Sequence, residues 1–329
     1  MGQYQRGGYG RRREEHAAPK PFAFVPLPER VNRSRPAGHD KFQTNHISGQ
    51  IQGKISALSP IHIGSGVIDI GQDGELIKTA VRTGENVVIP GSSLKGAIRS
   101  VVEAISASCV SKVSSQVRRA IPRWFSECPQ KDNLCVACRM FGAMGFQGNI
   151  SIQDAPKTEG NIVTKRVPEL YAPGRGQRNM REVPGRKFYM HGKEATGNTP
   201  VEACEKDTQF RFVMQVDNLK QSEWGLLFTA LGHHPNYPFK LKIGGAKPVC
   251  FGSIDIQIDE IKVQEQTRTR YLEWDVAQDA AMTGERLETW KLSCVNNQDT
   301  NRLIQQELLA ELAQILKYPN ERNCPAGLY

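Results

Sequence analysis

No stretch of apolar residues in this chain approaches the roughly 20 that a membrane-spanning helix needs, so a membrane partner is not expected. The opening residues are rich in Gly and Arg and lack an apolar segment, which argues against a secretory signal. They are also poor in Ser and carry Glu14 and Glu15, against an organelle transit peptide. A cytoplasmic location is therefore expected. No internal repeat is visible, and no glycine run has Walker or dinucleotide-fingerprint spacing, so nucleoside triphosphate binding is not expected. Acidic residues are outnumbered, 34 Asp and Glu against 43 Lys and Arg, for a net charge of +9. That imbalance points to a polyanionic partner, nucleic acid first among them.

The densest chemistry lies in Ile89-Pro-Gly-Ser-Ser-Leu-Lys-Gly-Ala-Ile-Arg-Ser100. A Pro-Gly turn runs into a helix start with Ser92 and Ser93, then Lys95 and Arg99 four residues apart. Free backbone N–H groups, hydroxyls and two cations make an anion site. An ordinary capped helix with solvated basic residues is the alternative.

The length allows one large domain or two ordinary ones. Residues 1–45 read as a basic, flexible N-terminal arm that orders on a polyanion, with a mere solubility tail as the alternative. Within it, residues 21–28 are apolar and Pro-punctuated, so they are expected to dock as an extended edge. A folded domain spans residues 46–263. Alternation predicts strands over 49–58, 76–80, 86–89, 149–153, 208–216 and 253–263, and helices over 92–106 and 222–232. A less defined helix covers 112–125, and residues 158–205 read as a long protruding insertion. Residues 264–329 form a C-terminal extension with an amphipathic helix over 301–317, for core or partner packing. The order fits an α+β fold with a ferredoxin-like, RRM-like βαββαβ core.

Of eight cysteines, Cys128, Cys135 and Cys138 cluster, the last two as C-x2-C. That spacing suits two thiolates on one zinc, with Cys128 as third ligand and Cys109 or a histidine as fourth. Reduced, partly buried thiols are the alternative. Gly244, Gly245 and Lys247 read as a phosphate cradle or as a plain tight turn. The insertion interleaves Lys165, Arg166, Arg175, Arg178, Arg181, Arg186 and Lys187 with Tyr171, Phe188, Tyr189 and His191. This suits a single-strand groove, where cations follow phosphates and rings stack on bases; a solvated basic loop is the alternative. Asp69 and Asp73, near His62, offer carboxylates for a divalent ion, although loop aspartates are usually turn formers.

Together, Gly91-Ser-Ser-Leu-Lys-Gly96 and Pro60-Ile-His-Ile-Gly64 resemble the RAMP superfamily of CRISPR proteins. Gly244-Gly-Ala-Lys-Pro-Val-Cys-Phe-Gly252 is similar to that family's glycine loop. Cys135-Val-Ala-Cys-Arg-Met-Phe-Gly142 resembles the zinc knuckle (here about 109–142) of type III backbone subunits of the Cas-seven group. Phe22-Ala-Phe-Val-Pro-Leu27 and Pro184-Gly-Arg-Lys-Phe-Tyr-Met-His191 resemble type III-D members and single-chain fused effectors. The resemblance covers about residues 22–263, and the last sixty or so match nothing.

The resemblance implies an RNA-binding subunit of a multisubunit effector, with guide RNA, complementary target RNA and other RAMP subunits as partners. Ser92, Ser93, Lys95 and Arg99 would hold guide phosphates, together with Gly244, Gly245 and Lys247. Residues 158–205 would be the thumb that kinks the guide–target duplex, with Arg166, Arg186, Lys187, Phe188, Tyr189 and His191 on the RNA. A structural Zn2+ would sit on Cys109, Cys128, Cys135 and Cys138. Active members cut target RNA with a loop aspartate and a divalent ion. Asp73 matches that position, with Asp69 as fallback and Mg2+ or Mn2+ as the ion. The N-terminal arm and unmatched C-terminal helix depart from the pattern and point to a specialised position in the assembly. A purely structural RNA-binding subunit is the second reading. Guide-precursor processing by a histidine base, His62 or His233 and His234, is the third.

Overall fold

The computed structural model describes residues 21–71, 74–111, 118, 121–170, 185–264 and 281–326. Strands β1 (Phe22–Val25) and β2 (Arg33–Ser34) lead into the long β3 (Ile47–Ala57). A hairpin of β4 (Gly64–Ile70) and β5 (Leu76–Ala80) follows, then β6 (Arg82–Thr83), β7 (Asn86–Ile89) and helix α1 (Gly91–Ile105). Next come β8 (Leu134–Cys135), the short helix α2 (Val136–Phe141), β9 (Ile150–Ile152) and β10 (Ala155–Glu159). Strands β11 (Ile162–Val167), β12 (Arg186–Tyr189), β13 (Thr199–Cys204) and β14 (Gln209–Leu219) precede helix α3 (Gln221–Ala230). The chain closes with β15 (Leu241–Lys242), β16 (Ser253–Val263) and β17 (Ala281–Met282). Helices α4 (Gly284–Val295), α5 (Gln298–Leu303) and α6 (Gln306–Ile315) complete it.

The fold is mixed α+β and rich in strand. Its main curled sheet runs β15-β16-β3-β14-β10-β7-β6, with β9 also on β14 and β17 on β16. β3 pairs antiparallel with both β14 and β16, and β9 and β10 lie end to end along the far edge of β14. Period-two patterning explains the layers: Ile51, Ile55, Phe210, Phe212, Met214, Ile254 and Ile256 are all buried on one face. The other face carries Gln50, Gln52, Lys54, Arg211, Gln215, Asp255 and Gln257, and on that face the described residues of β3, β14 and β16 include no aromatic ring. A smaller sheet runs β11-β13-β5-β4, in which β13 joins β5 in parallel.

Helices α1 and α3 cover the apolar face. Gly91 starts α1 because an added Cβ would meet Ile152 O at 2.0 Å, so only glycine lets the helix press against β9. α3 is buried nearly throughout because α4 and α5 cover it: Trp290 packs edge-on against Trp224 and Phe228, with ring centroids 5.1 and 5.6 Å apart. The C-terminal helices are thus a second layer over the core. Leu309, Leu312 and Ile315 of α6 join the same apolar cluster as α1.

Several expectations change. The helix expected over 301–317 is two helices, because Gln305 N–H donates to Ile105 O at the end of α1 and Ile304 bridges Ser106. Within the arm expected over 1–45, β1 pairs with β12 and β2 pairs with β8. Residues 1–20 lie outside the described residues. So does most of the helix expected over 112–125, of which Arg123–Phe125 is a single 3-10 turn. The stretch 158–205 is not free of core: Val167, Ala195, Val201 and Ala203 bury themselves with Val249, Cys250 and Phe251.

Candidate metal centre and nucleic-acid interface

The end of α1, the turn before β8 and the start of α2 converge to bring Cys109, Cys128, Cys135 and Cys138 together, all buried. Their sulfurs lie within 4.8 Å of one another, with Cys109 to Cys138 at 3.5 Å and Cys109 to Cys135 at 3.6 Å. A tetrahedral metal with roughly 2.3 Å bonds to sulfur sets sulfurs roughly 3.8 Å apart. The four residues therefore fit a closed structural metal site. Hydrogen bonding among the four thiols lowers Cys128 and takes Cys135 to about 6 while Cys109 and Cys138 are raised, so the remaining protons sit on those two and would leave when a metal binds.

Arginines surround this centre. Arg33 Nε donates to Cys128 Sγ at 3.3 Å, and Arg99 donates to Cys138 Sγ at 3.4 Å and to Gly142 O at 2.8 Å. The buried Glu103 accepts from Arg99 Nε at 2.7 Å and Ser111 Oγ at 2.5 Å, and it also pairs with Arg186. Arg139 of α2 pairs with Glu223 at 2.8 Å, and Glu223 also caps α3 through Lys220 N. Arg33 was readable only as part of a basic arm. Its role depends on the β2–β8 pairing, which no local pattern announces.

At the start of α1, Gly91 N–H is already bound, donating to Asp154 Oδ1 at 2.8 Å. Helical spacing then separates the expected anion ligands. Ser92, Lys95, Arg99 and Glu103 share one face, whereas Ser93, Ala97 and Ser100 share another. Ser92 is exposed and Ser93 and Lys95 are half-buried.

The glycine loop folds over His62. Gly245 N–H donates to His62 O at 2.7 Å, and a Cβ on Gly244 (φ 76°) would meet that same oxygen at 2.4 Å. Ala246 and Cys250 also take left-handed backbone, a strain of about 1 kcal/mol each. Between them the turn Lys247–Val249 points Lys247 into a cavity of about 110 Å³, shared with Ala97 and Ser100 of α1, Lys187 and Tyr189 of β12, and Lys242. Lys242 carried no signal in the sequence beyond being a lysine between Leu241 and Ile243. A disulfide joins Cys250 to Cys324 and fixes this loop to the C-terminal segment, a pairing the clustered cysteines did not foretell.

The insertion residues divide. Arg186 is spent on Glu103. His191 is fully buried, sharing hydrogens with Ser253 Oγ at 2.8 Å and Lys240 O at 2.9 Å, and burial lowers it to about 4. Arg166 pairs with Glu75 across the small sheet at 2.6 Å, in the open. Lys187 lies 3.9 Å from the Phe22 ring centroid, with Phe188 and Tyr189 half-buried beside it. Tyr171, Arg175, Arg178 and Arg181 lie outside the described residues, as does Asp73. Asp69 stands exposed on β4 and accepts from Ile70 N–H at 2.8 Å.

The histidines offered as alternative bases are occupied or buried. His62 Nδ1 sits 2.6 Å from Glu202 O, and burial lowers His233 to about 4 and also lowers His234.

Across this ground, from β3 into the first residues of β16, the sequence profile of the RAMP superfamily matches residues 54–254. The chain belongs to the RAMP superfamily. Membership implies a role in a CRISPR effector complex that works with RNA. No curated protein matches the chain. The matched span holds the cysteine centre, the Ser-Ser turn and the glycine loop of this RAMP protein, while β1, β2 and helices α4 to α6 lie outside it. No helix among the described residues is long and apolar enough to cross a membrane.

Proposed function

We propose that this RAMP protein is a Cas-seven-group backbone subunit of a type III, III-D-like effector, binding guide RNA through its phosphates. Its core is a ferredoxin-like βαββαβ unit of β3, α1, β9 with β10, β14, α3 and β16. The antiparallel order β16-β3-β14-β10, with both helices on one face, supports that assignment. The polar outer face carries no rings on its central strands, so bases do not stack there as on an RRM sheet. The observation that carries the reading is the meeting of two motifs remote in sequence. Lys247 of the glycine loop lines one cavity with Ala97 and Ser100 of α1, on the helix face of Ser93. Ser92, Ser93, Lys95, Gly244, Gly245, Lys247, Lys187 and Tyr189 form the RNA-facing set, and residues 158–205 the thumb. Arg99, Arg186 and His191 support it from within.

Zinc is the metal of the four-cysteine centre, holding α2 against the end of α1. Target cleavage is assigned to Asp73, which follows β4 in sequence, or to Asp69 on β4. A 2′-oxygen would attack the adjacent phosphate in line, breaking its bond to the 5′-oxygen and leaving a 2′,3′-cyclic phosphate on one fragment and a 5′-hydroxyl on the other. Bound Mg2+ or Mn2+ would supply charge stabilisation there. The competing reading, a subunit that holds RNA without cutting, is favoured by the Asp69 carboxylate accepting from the neighbouring Ile70 N–H. Reconstituted complexes carrying Asp73→Ala and Asp69→Ala decide: losing cleavage at one target position in either supports catalysis by that residue, and unchanged cutting at every position in both removes this subunit from catalysis and leaves it the holding role. Failure of the wild-type complex to retain guide RNA would overturn both.

A further inference from the structure

We propose that the Cys250–Cys324 disulfide is a reversible redox latch: a small thiol opens it, and opening releases residues 318–326 from the glycine loop. The latch stands on covalent structure and packing. Only its effect on RNA retention rests on the RNA-binding reading above.

The chain uses its cysteines in two ways. Four stand together as thiols fit for a metal, Cys204 and Cys294 are buried singly, and Cys250 is joined to Cys324. A metal-binding set works only while its sulfurs stay unoxidised. In surroundings that keep thiols reduced, disulfides are uncommon, and those that form are usually transient and redox-sensing. The joined residues are 74 apart in sequence, with Cα atoms 6.0 Å apart, within the span a disulfide bridges. Cys324 lies beyond the span that the family profile matches, so family membership does not supply this pairing.

The other contacts of the segment after α6 are modest. Lys193 N–H donates to Arg322 O at 2.7 Å, and Cys324 N–H donates to Lys193 O at 3.1 Å. The Lys193–Glu321 pair, 2.6 Å apart, is open to water and worth little. Tyr318 meets the His191 ring edge-on, 5.4 Å between centroids. A stretch held this lightly opens locally once its cross-link is gone. Tyr318 and Glu321 also line a groove of about 640 Å³ with Lys165 and Lys206, so release widens that groove.

The two sulfurs differ as targets. Cys324 is 7 % exposed and Cys250 is fully buried, so a thiol from solvent meets Cys324 first. Cys250 Sγ lies 4.0 Å from Met190 O, the carbonyl to which the Lys242 ammonium donates at 3.0 Å. A nearby cation stabilises a thiolate, and the sulfur with the more stable thiolate leaves faster. A glutathione thiolate therefore bonds to Cys324 Sγ and breaks the disulfide, and Cys250 leaves as thiolate and takes a proton from water. A second glutathione thiolate attacks the glutathione sulfur of this mixed disulfide. Cys324 is released and protonated, and glutathione disulfide departs. The protein pair gains two electrons and two glutathione thiols lose them; the reverse exchange closes the latch.

The test equilibrates the full chain in glutathione buffers from oxidised to reduced. Acid trapping, then alkylation in denaturant read by mass spectrometry, reports the thiols, and hydrogen exchange reports residues 318–326 and 243–252. Cys250 and Cys324 are expected to become alkylated together in one transition, with exchange in both segments about tenfold faster and slowed again by reoxidation. Cys324→Ser is expected to exchange fast at every ratio while keeping metal content and core protection, which separates unlatching from misfolding. A pair that stays joined in fully reduced buffer, a pair never joined in oxidised buffer, or reduction with unchanged exchange overturns the latch. Fluorescence anisotropy with single-stranded RNA reads the link to function. About threefold weaker binding after reduction supports the link, and equal affinity in both forms overturns it. No RNA binding in either form, with the redox transition intact, overturns the RNA-binding reading and keeps the latch.

Discussion

The cysteine centre and the lysine cavity lie at opposite faces of the same helix, α1, and they treat positive charge in opposite ways. Around the cysteines the arginines meet acids or sulfurs. Arg99 and Arg186 converge on Glu103, Arg139 meets Glu223, and Arg33 and Arg99 donate to sulfurs. Around the cavity Lys242 and Lys247 have no acid. Charge matched inside the fold serves structure, whereas buried charge left unmatched awaits a ligand. A count of basic residues cannot separate the two, because it treats Arg99 and Lys247 alike.

The largest effect that would break this comparison is at the metal. Purified protein is expected to hold about one equivalent of zinc. Cys138→Ser should lose it with a drop in stability on the order of 5 kcal/mol or more. Metal analysis well below one equivalent in wild-type protein would remove the centre from the account. Next, Glu103→Gln leaves Arg99 and Arg186 facing each other in the interior and should cost about 3–5 kcal/mol in denaturant unfolding. Near-neutral behaviour would mean that the arginines are not held there.

A smaller effect concerns pH. Unfolded Lys242 keeps its proton up to its ordinary 10.5, while the folded chain gives it up near 7. The unfolded state binds more protons between those values, so this lysine makes stability rise from pH 7 towards 10. Its contribution to the slope should vanish in Lys242→Met, read as the difference between wild-type and variant melting curves over that window. The smallest effect belongs to the exposed pair: Arg166→Ala should change stability by less than about 1 kcal/mol.

Much of the frame was legible in the sequence because alternation is local. Residues 76–80, 86–89 and 253–263 coincide with β5, β7 and β16, and the C-x2-C spacing located the cysteine centre. The rest depends on contacts between distant segments. The parallel join of β13 to β5 and the seating of β2 on β8 leave no periodic trace. Helix α4 was missed because its surface is largely polar apart from Leu287, Trp290, Leu292, Cys294 and Val295. For the site, the residue types were visible but their partners were not. Whether Arg186 meets RNA or Glu103 is settled by tertiary structure alone.

The most direct test of this distinction is the salt dependence of RNA affinity, measured for the wild-type chain, Lys247→Met and Arg166→Met. The account predicts a slope lower by about 0.7 for Lys247→Met and an unchanged slope for Arg166→Met, whose cation is already matched by Glu75. An unchanged slope for Lys247→Met, with a reduced one for Arg166→Met, would contradict it.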